Sequence, residues 1–145
     1  MKKHLLLLAG VVFLLAAGDA DEEVKKEIAR FQGTWRMVSL EVGQNKLTED
    51  ALKDFRLKIE GDKFTATEGT SENHGTFKVD PTKKPKTIDI TMIQGEKRQT
   101  LLGIYELEGD TYKLCGDMSG KSRPTEFAIK PGSGYILEVL KREKK

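Results

Sequence analysis

One phrase occurs twice in this chain and constrains its fold more than anything else. Leu57-Lys58-Ile59-Glu60-Gly61-Asp62-Lys63-Phe64-Thr65-Ala66 returns in pattern as Tyr105-Glu106-Leu107-Glu108-Gly109-Asp110-Thr111-Tyr112-Lys113-Leu114. Each copy alternates apolar and polar residues, turns at Gly-Asp, and alternates again. Glycine at the first corner position supplies the positive φ of a tight primed turn, so both copies read as β-hairpins. Folding about the corners sets Glu60 against Lys63 and Glu106 against Lys113 on one face. On the other face Ile59 meets Phe64, Leu107 meets Tyr112 and Tyr105 meets Leu114. One polar face and one apolar face in register predict an antiparallel sheet curved around a core.

The pattern continues along the chain. Strands are predicted near residues 34–42, 55–60, 63–68, 75–80, 87–93, 99–107, 111–116, 124–130 and 135–142. Turn chemistry separates them at Gly69 to Asn73, Pro81 to Pro85, Gln94-Gly95, Gly116 to Pro124 and Pro131 to Gly134. Within the first strand Trp35 and Met37 hold one phase while Val38, Leu40 and Val42 hold the other, which predicts a β-bulge or strong bend. Val24, Ile28 and Phe31 recur at helical spacing, so Asp21 to Phe31 reads as a short amphipathic helix. Gly43 to Lys46 reads as a turn, and Thr48 as the cap of a short helix to Asp54. Consecutive hairpins without a long crossover predict an all-β, antiparallel up-and-down barrel of 8–9 strands. It carries a short N-terminal helix and a short helical flap after the first strand.

The N-terminus has a different character. Met1-Lys2-Lys3-His4 is basic, Leu5 to Ala17 is nearly all apolar, and Ala16-Ala17-Gly18-Asp19-Ala20 offers small residues for cleavage. That layout predicts a secretory signal over residues 1–20, cut after Gly18 or Ala20, and a single domain over 21–145. The apolar run falls short of the roughly 17–25 residues of a spanning helix. The expected location is secreted or periplasmic. The formal charge of +2 would fall further on loss of Lys2, Lys3 and Asp19, which leaves no electrostatic footprint for nucleic acid. Lys83-Lys84-Pro85-Lys86 and the C-terminal Lys141 to Lys145 read as solvated turn and tail. Cys115 is the single cysteine; lying in a strand, it reads as a free, packed thiol.

The phrases Gln32-Gly33-Thr34-Trp35, Gly75-Thr76-Phe77, Lys84-Pro85-Lys86-Thr87-Ile88-Asp89, Gly103-Ile104-Tyr105-Glu106-Leu107, Lys113-Leu114-Cys115, Arg123-Pro124-Thr125-Glu126-Phe127 and Pro131-Gly132-Ser133-Gly134 carry a resemblance. Gly33-Thr34-Trp35 after a short helix resembles the Gly-x-Trp of the lipocalins. The full set is similar to exported lipocalin-like bacterial proteins of planctomycete type, whose members bring no established activity with them. The resemblance implies that Trp35 closes the barrel floor beneath a cation from the last strand, Arg142 or Lys141.

Catalytic equipment is sparse. His74 is the sole histidine after the signal and reads as an exposed turn residue. No ligands stand at metal spacing, no cofactor motif appears, and the carboxylates that can be placed, Asp89 among them, face outward or sit in turns. The expectation is therefore not an enzyme but a monomer that binds a small hydrophobic molecule inside the barrel. Phe64, Phe77, Tyr105, Tyr112 and Phe127 are its candidate lining, with Trp35, Leu57, Ile59, Ile88, Ile90 and Met92, and the segment Leu47 to Phe55 flanks the mouth. The alternative is a solid barrel, an envelope-associated or inhibitory module that meets a protein or glycan through its loops.

Overall fold

The computed structural model describes residues 21–144; the signal segment expected at 1–20 lies outside the described residues. Helix α1 covers residues 21–31 and strand β1 runs Gly33–Val42. Next come β2 (Asn45–Thr48) and helix α2 (Glu49–Leu52). The remaining strands are β3 (Phe55–Glu60), β4 (Lys63–Glu68), β5 (Ser71–Asp80), β6 (Lys86–Gln94), β7 (Lys97–Glu108), β8 (Thr111–Asp117) and β9 (Tyr135–Arg142). Each of β3 to β8 pairs antiparallel with the next, β1 pairs with β3, and β1–β9 pairing closes the ring. Eight strands form the barrel, and β2 extends the sheet beside the outer half of β1 where β3 has left it.

The doubled phrase folds as two hairpins with the expected registers: Glu60↔Lys63 and Ile59↔Phe64 in one, Glu106↔Lys113, Leu107↔Tyr112 and Tyr105↔Leu114 in the other. Gly61 and Gly109 adopt φ +62° and +57°, the left-handed values that the first position of a type II′ turn requires. The phase slip in β1 is a bulge, because Met37 pairs with Leu140 and Ser39 with Val139, which leaves Val38 extra. Trp35 and Met37 thus face the core below the bulge, and Leu40 and Val42 line the interior above it.

Three local expectations are corrected. Residues 124–130 alternate, yet they form no strand. β8 already pairs with β7 on one side and β9 on the other, so no edge is free for another strand. Residues 45–48 are strand rather than turn, since Gly43 and Gln44 suffice to reverse the chain. Thr48 precedes α2 without capping it through its side chain.

Candidate functional site

The barrel has a closed end and an open one. α1 lies across the closed end and presents Phe31 and Glu27 inward, 1% and 4% exposed. The Phe31 ring meets Phe77, Tyr105 and Tyr112 at centroid distances of 5.3, 5.1 and 5.2 Å. Glu27 falls on the apolar stripe of α1, and three partners satisfy it. Arg30 Nη1 donates to Oε1 at 2.7 Å, while Lys86 Nζ and Tyr105 Oη donate to Oε2 at 2.8 and 2.6 Å. Burial pushes the Glu27 carboxyl up, but these three hydrogen bonds outweigh it and hold the group below its usual range.

Trp35 completes the floor. It is fully buried, and its Nε1 donates to the Phe31 carbonyl at 2.8 Å. The Arg142 guanidinium lies over its ring at 4.3 Å, so Arg142 rather than Lys141 is the stacking cation. The same guanidinium donates to the Arg30 carbonyl at 2.6 Å and to the Gln32 carbonyl, and its Nε donates to Asp110 at 3.0 Å. It thereby caps the C-terminal end of α1, where a cation meets the negative end of the helix dipole. Gly33, at φ +120°, passes beneath it; a β-carbon there would stand 3.3 Å from Arg142 Nη1.

Above this floor the barrel is hollow. A cavity of about 310 Å³ extends from Phe31, Phe77 and Tyr112 at the bottom to Val42, Phe55, Asn73, Met92 and Met118 near the opening. Val42 is 46% exposed, which puts the upper end of the lining in reach of solvent. Gly75 helps make the space: a β-carbon there would sit 2.5 Å from the Phe64 ring and 2.2 Å from the Thr91 carbonyl, so the ring lies flat against bare backbone. The β1–β2 turn and α2 stand at this end, and Val42 and Phe55 bracket the flap and line the cavity.

The sequence-based candidates divide. Phe64, Phe77 and Tyr112 line the cavity, together with Leu57, Ile59, Ile88, Ile90 and Met92. Tyr105 faces inward but belongs to the floor, fully buried and committed to Glu27. Phe127 is not inside. It sits on the irregular segment outside β8, with Lys113 Nζ 5.0 Å from its ring centre. That segment is tied down by Asp117, whose carboxylate accepts from the Ser119 and Ser122 backbone amides at 3.0 and 2.9 Å. These bonds hold its pKa down to about 2. Arg123 clips the segment to the wall, donating to the Ile88 and Gly103 carbonyls at 3.0 and 2.7 Å and to Asp89 at 2.6 Å. Cys115 is buried beneath it, its thiol 3.6 Å from the Ala128 carbonyl and pushed up in pKa by burial. His74 lies on β5, exposed and 2.8 Å from Glu72, rather than in a turn.

One polar residue of the cavity wall escaped the sequence reading. Glu138 on β9 faces the cavity, between Leu114 of β8 and Leu40 of β1 in register. Its half-buried state reflects the hollow it faces, and burial raises its carboxyl from 4.5 to about 7. No described side chain forms an ion pair or hydrogen bond with it. Tyr112 stands one diagonal step away on the inner face of β8; its hydroxyl pKa is raised by burial and then by the Glu138 charge. Among the described residues no three His, Cys, Asp or Glu side chains gather as a metal site, and no helix is long and apolar enough to cross a membrane. No protein-family model, curated protein or solved structure matches the chain.

Proposed function

We propose that the protein is an exported lipocalin-like binding protein that holds a small hydrophobic molecule inside its barrel and performs no chemistry on it. The observation that carries this reading is the cavity of about 310 Å³ with a nearly all-apolar wall. Small-ligand pockets begin at roughly this size, about 300 Å³, and combine such walls with a few polar groups. Ordinary interiors leave few voids larger than a water molecule, so a hollow of this size is not a packing accident. A solid barrel acting through its loops is the competing reading, and the open interior weighs against it. Export is argued from the basic start, apolar run and small residues of positions 1–20. The lipocalin resemblance of Gly33, Trp35 and Arg142 agrees with the floor they build.

Burying about 200 Å² of guest surface contributes roughly 5 kcal/mol before association entropy is subtracted. Micromolar affinity therefore needs a larger apolar body or a polar contact in addition. The test is a titration of neutral apolar dyes and medium-chain alcohols, read through Trp35 fluorescence. Saturable one-to-one binding that vanishes in a folded Ala66→Phe variant, where a ring fills the cavity, is the expected result. Silence across the panel would move the function to the outer surface.

A further inference from the structure

We infer that the guest is an organic cation, an ammonium group carried on an apolar body, and that Glu138 is the residue that receives its charge. The inference rests on the reading of the cavity as a binding site and adds the chemical class of the occupant.

Two carboxylates of this chain, Glu27 and Asp117, are fully buried. Glu27 receives three donors and Asp117 accepts from the amides and hydroxyls of its own loop. Both are fully served by the protein. Glu138 alone faces an apolar hollow with no donor from the described residues. A carboxylate half-withdrawn from water against an apolar wall, with no partner to offset the lost hydration, is costly to hold in its charged form. Leucine at this position would pack against Leu40 and Leu114 with no such cost. The missing partner belongs where the empty space is, so a guest can supply it.

The sign of that partner follows from the wall. The strands facing Glu138 across the cavity bring no other titratable group; Tyr112 from β8 is the one addition, and Asn73 from β5 is the remaining polar side chain. No cation lines the cavity, so an anionic guest would meet a carboxyl and nothing to neutralise it. An ammonium would meet an ionised Glu138, with the Tyr112 hydroxyl a diagonal step away as a second acceptor. The volume limits the body to a small one.

Protonation gives the interaction a signature that packing alone does not produce. With the free carboxyl at about 7, ammonium binding must draw off its proton below that pH. Affinity for an amine should therefore rise from pH 6 to pH 8, then hold until the amine itself loses its charge near pH 10.

Isothermal titration calorimetry of the full chain with 1-octylamine, 1-octanol and octanoate tests the inference. At pH 8 octylamine should bind about tenfold or more tighter than octanol, with octanoate weakest. Glu138→Gln, folded by circular dichroism, should reduce octylamine to the octanol level, abolish its pH slope and leave octanol within about twofold. Equal affinities for amine and alcohol in the wild type would overturn the cation assignment and leave the binding site standing. Tightest binding of octanoate would overturn it in favour of a carboxyl–carboxylate pair. No binding of any of the three would sink the underlying reading as well.

Discussion

Trp35 and Glu138 show how single residues decide opposite properties of the same interior. Trp35 is fully buried, hydrogen-bonded to Phe31 and covered by Arg142. Its replacement by Ala should cost about 3–5 kcal/mol, because the surrounding β-strands cannot collapse into the space. A thermal melt within a few degrees of wild type would contradict this. Glu138 acts in the other direction. Its folded pKa of about 7 lies above the ordinary 4.5, so between those values the native state holds more protons than the unfolded chain. Stability should fall as pH rises through that window, and Glu138→Leu should remove the slope and gain about 1–3 kcal/mol at pH 8. Urea melts at pH 5 and pH 8 check both statements. Glu27 has the opposite sign: its pKa is lowered, so its contribution is lost as pH falls through the folded value. Cys115, buried with a raised pKa, should resist thiol reagents in the native protein and react on unfolding.

At the level of elements, alternation and turn chemistry made the hairpins readable. Gly61 and Gly109 fixed the corners, and the phase slip of β1 announced its bulge. Residues 124–130 misled for a physical reason. Alternation shows that a segment suits a sheet but not that a sheet edge is free to receive it, and here closure had used both edges of β8. The segment is held instead by Asp117 and Arg123. Asp117→Ala should cost about 1–3 kcal/mol and leave the Ser119 and Ser122 amides unserved. Limited proteolysis should then cut within 119–131 while the barrel stays intact. Cleavage no faster than in wild type would show that Arg123 alone suffices. Helix α1 was readable from Val24, Ile28 and Phe31, but Glu27 on the same stripe was not. Its partners Lys86 and Tyr105 are far away in sequence.

For the whole molecule, closure explains both the empty interior and the difficulty of locating its polar group from sequence. A ring of eight antiparallel strands leaves an inside wide enough for one small guest, and its apolar lining follows from strand parity. Parity is ambiguous in β9, where Leu137 and Val139 look as suited to a core as Ile136 and Leu140. A signal was available: Arg142 stacked on an inward Trp35 puts the even-numbered residues of β9 inside, Glu138 with them. The central claim is that a guest occupies this interior, and methyl NMR reads that space directly. In a ¹H–¹³C spectrum of the isoleucine-labelled protein titrated with 1-octylamine, the methyls of Ile88, Ile90 and Ile136 inside the barrel should shift saturably. Those of Ile93 and Ile129, outside the cavity lining, should stay still. Shifts confined to the outer methyls, or no shift at all, would contradict the account.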